Sequence, residues 1–160
     1  MATLTPAFRA ASERLHKEHE ALGQVLCGLD AALDHLVCYS EVYADLSAAD
    51  EIRRLGRQLA EQIPGHCRRE EISLLEPVSE VSPELGEFCT EMKSEHSDLL
   101  MRLGRFCAAL KGFDRALLPS QVEGEDLSEV ISHLKETGRE LTLELRRHVA
   151  AEEQELGGFL

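Results

Sequence analysis

Apolar residues recur every three or four positions along this chain, in four runs separated by breaks. The first run opens at Thr5-Pro6, a cap followed by proline in the first turn. It carries Phe8, Leu15, Leu22, Leu26, Leu29, Leu33 and Leu36 before fading near Cys38-Tyr39-Ser40. The second starts around Ser47 and carries Ile52, Leu55, Leu59, Ile63 and Leu74. Pro64-Gly65 falls inside it, and because proline costs a helix interior about 3 kcal/mol, a kink or short break is expected there. The third opens at Ser82-Pro83-Glu84, shows Leu85, Cys89, Met92, Leu99, Leu103, Cys107 and Leu110, and ends at Lys111-Gly112. Asp114 to Asp126, with Pro119 and Gly124, reads as the one long loop. The fourth run carries Val130, Leu134, Leu141, Leu145 and Leu156, and Gly157-Gly158 stops it. This pattern predicts an all-α fold: an up-down-up-down antiparallel four-helix bundle, a single domain over residues 1–160.

Six polar residues sit on these stripes. His19 lies between Leu15 and Leu22, His96 between Met92 and Leu99, and His66 and His148 follow Ile63 and Leu145. Glu70 and Glu152 stand four residues after His66 and His148, one turn along the same helix face. The strings His66-Cys67-Arg68-Arg69-Glu70-Glu71 and His148-Val149-Ala150-Ala151-Glu152-Glu153 repeat one motif, and Glu18-His19 is echoed by Glu95-His96. The first two helices are thus echoed by the last two, as in an internally duplicated hairpin. Ionisable groups on a core face cost several kcal/mol each unless partnered. A bound metal removes that cost, since neutral imidazole and ionised carboxylate are the ligand forms. Four His and two Glu from four helices make a coordination sphere for two metal ions.

Composition narrows the choices. The chain has 160 residues, enough for one real core, and a formal net charge of -13, which argues against nucleic acid and anionic membranes as partners. Five cysteines without a C-x-x-C pair make a poor disulfide framework and point to a reducing cytoplasm. The N-terminal stretch lacks the apolar run of a signal peptide, and no segment approaches the roughly 20 apolar residues of a membrane span. A soluble cytoplasmic protein is expected.

The other candidate ligands fit less well. His16 lies one position off the first stripe, so periodicity prefers His19; His35 and His133 neighbour polar positions and read as surface. Glu71 and Glu153 turn away from the face set by His66 and His148, as solvated charges or hydrogen-bond partners of ligands do. Cys27, Cys89 and Cys107 read as core thiols, and Cys67, beside His66, is the one thiol near the motif. Imidazole and carboxylate without thiolate suit iron, then manganese, with zinc possible.

These strings resemble the hemerythrin-like, or HHE cation-binding, family, whose pattern is His on the first helix, H-x-x-x-E(E) on the second, His on the third and H-x-x-x-E(E) on the fourth. The resemblance rests on Lys17 to Leu22, His66 to Glu71, Ser94-Glu95-His96 with Leu99, and His148 to Glu153, and spans about residues 10–160. It implies two irons bridged by an oxo or hydroxo group. His19 and His66 would hold one and His96 and His148 the other, with Glu70 and Glu152 bridging them. The oxygen carriers of the family have one more His on the third helix; here Met92 and Leu100 occupy the neighbouring turns. That departure favours redox reactivity or sensing over simple oxygen transport. The family's iron-sulfur repair members carry a Cys-containing N-terminal domain, and neither it nor a signalling domain is expected here, so any sensory output passes through a protein partner. The expected function is a non-heme di-iron centre engaging O2, NO or peroxide. The alternatives are a nitrosative or oxidative stress enzyme, an iron donor for iron-sulfur repair, and an iron-free helical interaction module.

Overall fold

A computed structural model describes residues 6–40, 43–118 and 126–157 of the chain. Helix α1 spans Pro6–His35, with Phe8, Leu15, His19, Leu22, Leu26, Leu29 and Leu33 on its buried face. The His35 ring nitrogen Nδ1 donates to the Ala31 carbonyl at 2.7 Å, satisfying one of the carbonyls a helix end leaves over. The chain does not fade into a loop beyond this point. Strand β1 (Val37–Ser40) pairs antiparallel with β2 (Tyr43–Asp45), matching Val37 to Asp45 and Cys38 to Ala44. Val37, Tyr39 and Tyr43 are strand formers, and Leu36, Cys38, Ala44 and Leu46 pack on the core from this hairpin.

Helix α2 (Ala49–Glu70) runs through Pro64 without a break. Ile63, His66 and Cys67 are buried on both sides of the proline, and that packing outweighs the one helical hydrogen bond it removes. The irregularity comes later, where Glu71–Leu75 forms a π-turn before the short helix α3 (Glu76–Ser79). One π-turn advances the register enough that Leu74, Leu75 and Val78 are all buried. Helix α4 (Pro83–Ala116) starts as expected, with the Ser82 hydroxyl accepting from the Leu85 amide at 3.3 Å. It passes Gly112 and continues to Ala116 because Phe113 is still wholly buried. The expected long loop therefore begins later, and residues 119–125 of it lie outside the described residues. Asp126 caps α5 (Leu127–Leu156) by accepting from the Ser128 amide at 2.8 Å, and Gly157 follows the last turn; Gly158 lies outside the described residues.

The four long helices contact one another in a ring, α1 on α2, α2 on α4, α4 on α5 and α5 on α1. Phe106 fills the centre of the larger core, where a Cβ on Gly56 or on Gly138 would lie 3.3 Å from its ring. The two glycines let α2 and α5 close on that ring. The core divides in two. Leu22, Ile63, Leu99 and Leu145 belong to the larger apolar cluster, and Leu15, Leu74, Met92 and Leu156 to the smaller. Each helix therefore crosses from one cluster to the other, and the residues at the crossing are polar.

Candidate metal centre

The crossing layer holds His19, His66, Glu70, His96, His148 and Glu152, all between 1% and 5% exposed. Helical periodicity puts them there, since each continues the buried apolar stripe of its own helix. One ligand atom from each of His66, Glu70, His148 and Glu152 lies within 4.8 Å of the others. His19 joins through Glu152, its Nε2 3.1 Å from Oε2, and His96 joins through Glu70, its Nε2 3.2 Å from Oε2. All six residues singled out in the sequence thus come together.

Inside the layer the imidazoles form two pairs, with ring centroids 5.1 Å apart for His19 and His66 and 4.8 Å for His96 and His148. Each buried carboxylate reaches both pairs. Glu152 meets His19 at 3.1 Å and His148 at 3.0 Å through its two different oxygens. Glu70 lies 3.6 Å from His66 and 3.2 Å from His96 through one oxygen, Oε2. Of these separations only that between His96 Nε2 and Glu70 Oε2 is a hydrogen bond. Nε2 of His19, His66 and His148, Oε1 of Glu70 and both oxygens of Glu152 are buried without a hydrogen-bond partner among the described residues. Six inward atoms left unpaired at one point are an arrangement that natural cores avoid unless a cation completes it. The donor set, imidazole nitrogen and carboxylate oxygen, is that of a divalent transition metal.

The outward nitrogens are all partnered. Nδ1 of His66 lies 3.0 Å from Glu18, that of His96 2.7 Å from Glu71, that of His148 2.8 Å from Glu95 and that of His19 3.4 Å from Glu153. Sequence reasoning admitted Glu71 and Glu153 as partners of ligands but gave Glu18 and Glu95 no role. Their one signal was the repeated Glu-His dipeptide, and only the packing of neighbouring helices shows what each acid meets.

Burial dominates the electrostatics. It pushes Glu70 up to about 11, helped by the Glu152 carboxylate beside it. Burial raises Glu152 as well, but His148 and His19 more than offset that and hold it well below the usual carboxylate range. The two acids therefore share a site in which one keeps its proton, until positive charge between them favours both ionised forms. Burial also holds His66 and His96 below their ordinary 6.5, ready as neutral donors. It acts the same way on His148, where Glu152 and Glu95 outweigh it and leave the imidazole raised. The depressed His66 and His96 stabilise the fold above 6.5, and that contribution is lost as pH falls through their folded values. Glu70 and His148, both raised, act in the opposite sense and gain as pH falls, so the two sets of groups offset one another over this range.

The other sequence candidates lie outside the layer. His16 has a side chain 56% exposed and meets only Glu20, at 3.7 Å, and Glu153, at 3.6 Å, among the ion pairs of the described residues. His35 and His133 are exposed. Cys67 packs with the larger apolar cluster, and burial pushes its thiol up to about 12, which removes the thiolate a metal would need. Between α4 and α5 a surface groove of about 480 Å³, lined by Glu95, Asp98, Arg102 and Arg147, reaches His148. Two voids of about 10 Å³, one touching His19 and Glu152 and one touching Glu18 and Glu70, are no larger than a single water.

Among known proteins, the family model described as the hemerythrin HHE cation-binding domain matches residues 37–160. That span takes in α2, α4 and α5 and leaves His19 on α1 outside it. No curated protein and no solved structure matches the chain.

Proposed function

Since this chain belongs to the hemerythrin HHE cation-binding domain family, we propose that it holds a non-heme di-iron centre that engages O2, NO or peroxide in a binding, sensing or redox role. The observation that carries this reading is the reach of Glu70 and Glu152 to both imidazole pairs, with Oε1 of Glu70 and both oxygens of Glu152 buried without a hydrogen-bond partner among the described residues. His19 and His66 would hold one iron and His96 and His148 the other, with the two carboxylates shared between them. An iron pair supplies open coordination positions and exchangeable electrons for a small oxidant. Iron is preferred to manganese and zinc because the set is rich in imidazole and carboxylate and lacks thiolate.

The chain's own residues do the remaining work. The two apolar clusters above and below the layer exclude bulk water and admit small uncharged ligands. On α4 no further imidazole accompanies His96: Met92 and Leu99 are its buried neighbours, and Leu100 is exposed. The helix ring and the repeated motifs support an up-down-up-down antiparallel bundle built from a duplicated hairpin, with the 160 residues as one domain. No helix of the described residues is long and apolar enough to cross a membrane. The thiols of Cys27, Cys67, Cys89 and Cys107 are free, as suits the reducing cytoplasm we infer for it.

Metal analysis of protein made in iron-replete medium is expected to give about two irons per chain, as in other di-iron bundles. Stoichiometric zinc, or no metal, would overturn the proposal. Mixing the reduced protein with O2, NO and peroxide then separates the roles. A stable reversible adduct marks a binder or sensor, and turnover marks the stress enzyme that is the second reading.

A further inference from the structure

The four outward contacts have an order. Glu18 on α1 meets His66 on α2; Glu71, first residue of the π-turn after α2, meets His96 on α4; Glu95 on α4 meets His148 on α5; and Glu153 on α5 meets His19 on α1. The sequence runs around the same ring in which the helices pack, and it closes. Each acid is also the direct neighbour in sequence of one of its own helix's inward residues, Glu18 of His19, Glu71 of Glu70, Glu95 of His96 and Glu153 of Glu152. Rotating any one helix therefore moves one inward group and the support of the next helix's imidazole together.

We propose that Glu18, Glu71, Glu95 and Glu153 are positioning residues forming a closed cycle, in which the carboxylate of each helix orients the inward-facing imidazole of the next. The proposal rests on the metal-binding reading above. A carboxylate accepting from Nδ1–H fixes the tautomer whose Nε2 lone pair points into the layer, and it makes that nitrogen a better donor. All four inward nitrogens are Nε2, as this requires, and all lie within 3.6 Å of Glu70 or Glu152. The supports are unequal. Glu71 and Glu95 make the shortest contacts, 2.7 and 2.8 Å. Glu18 divides itself between His66 and Arg69, whose Nε donates to it at 2.9 Å. Glu153 is the most distant at 3.4 Å and is shared with His16 at 3.6 Å. The pair His96 and His148 is thus held more firmly than the pair His19 and His66.

The test uses the full chain, with Glu95→Ala, Glu95→Gln and Glu153→Ala, and Co(II) as a spectroscopic probe titrated against a chelator. The Glu95 side chain is 45% exposed, and the melting of each metal-free variant is measured alongside, so that a change in Co(II) affinity is separated from a change in stability. Glu95→Ala is expected to weaken Co(II) binding by about 10- to 100-fold and to change its visible spectrum, the size seen when such outer partners are removed. Glu95→Gln, whose amide oxygen accepts the same N–H, should recover most of the affinity, and Glu153→Ala should lose less than Glu95→Ala. Wild-type affinity in Glu95→Ala, or equal losses in Glu95→Ala and Glu95→Gln, would overturn the positioning role. If the unsubstituted protein itself takes up neither Co(II) nor iron, it is the metal-binding reading that fails.

Discussion

Stripped by a chelator, the protein is expected to melt about 10 °C below its metal-loaded form. A ligand bound only by the folded state adds RT ln(1 + [L]/Kd), about 4 kcal/mol at a thousandfold excess over Kd. For a domain of this size each kcal/mol moves the midpoint by about 2–4 °C. The physical source is the crossing layer. Without a cation, Glu70 and Glu152 are buried together so that one must keep its proton, and Nε2 of His19, His66 and His148 has no hydrogen-bond partner among the described residues. Metal turns those costs into bonds. Circular-dichroism melting with and without the chelator, followed by iron add-back, checks this. Equal midpoints before stripping, after it and after refilling would mean that the layer holds no stabilising ion.

Glu152→Ala is expected to lose both metal equivalents, and His16→Ala to lose neither. Glu152 is the one residue whose two oxygens divide between the pairs, Oε2 to His19 at 3.1 Å and Oε1 to His148 at 3.0 Å. Removing it takes a ligand from both sides and leaves less negative charge against two cations, and breaking such a buried ionic contact costs about 3–5 kcal/mol. His19→Ala should empty one side and lower stability with it. His16, half-exposed and in contact with surface acids, contributes within about 0.5 kcal/mol of nothing, as ordinary surface positions do. Metal content and melting of the purified variants give the answer. Two irons retained in Glu152→Ala would defeat the shared-carboxylate assignment and make Glu153 the candidate. An empty site in His16→Ala would make His16, not His19, the ligand on helix α1.

The parts of this molecule that follow one helix's periodicity were readable in its sequence. Phe8 to Leu33, Ile52 to Ile63 and Leu134 to Leu156 carry their own phase, so the helices, their buried faces and the burial of the six polar residues followed. The phase also separated His19 from His16, which face opposite environments three residues apart. What could not be read depends on other elements. Helix α2 survives Pro64 because Ile63, His66 and Cys67 are packed by neighbours, and α4 passes Gly112 because Phe113 has a core to enter. The hairpin at Val37–Ser40 and Tyr43–Asp45 is too short for alternation to announce it. Glu18 and Glu95 acquire partners only through the relative rotation of adjacent helices, which no single-helix pattern encodes.

Placing the polar layer between two apolar clusters has a kinetic consequence. The proposed ligands come from all four long helices and are almost wholly buried, so a bulky chelator cannot reach an ion there while the helices stay together. A small uncharged molecule, as proposed above, would need only side-chain motion to enter. Exchange of the ion then waits on separation of helices, an opening that occurs rarely in a well-packed core. The residence time of bound metal becomes a clock for the tertiary structure. The gas chemistry proposed for the same centre would run on the far faster time of side-chain motion.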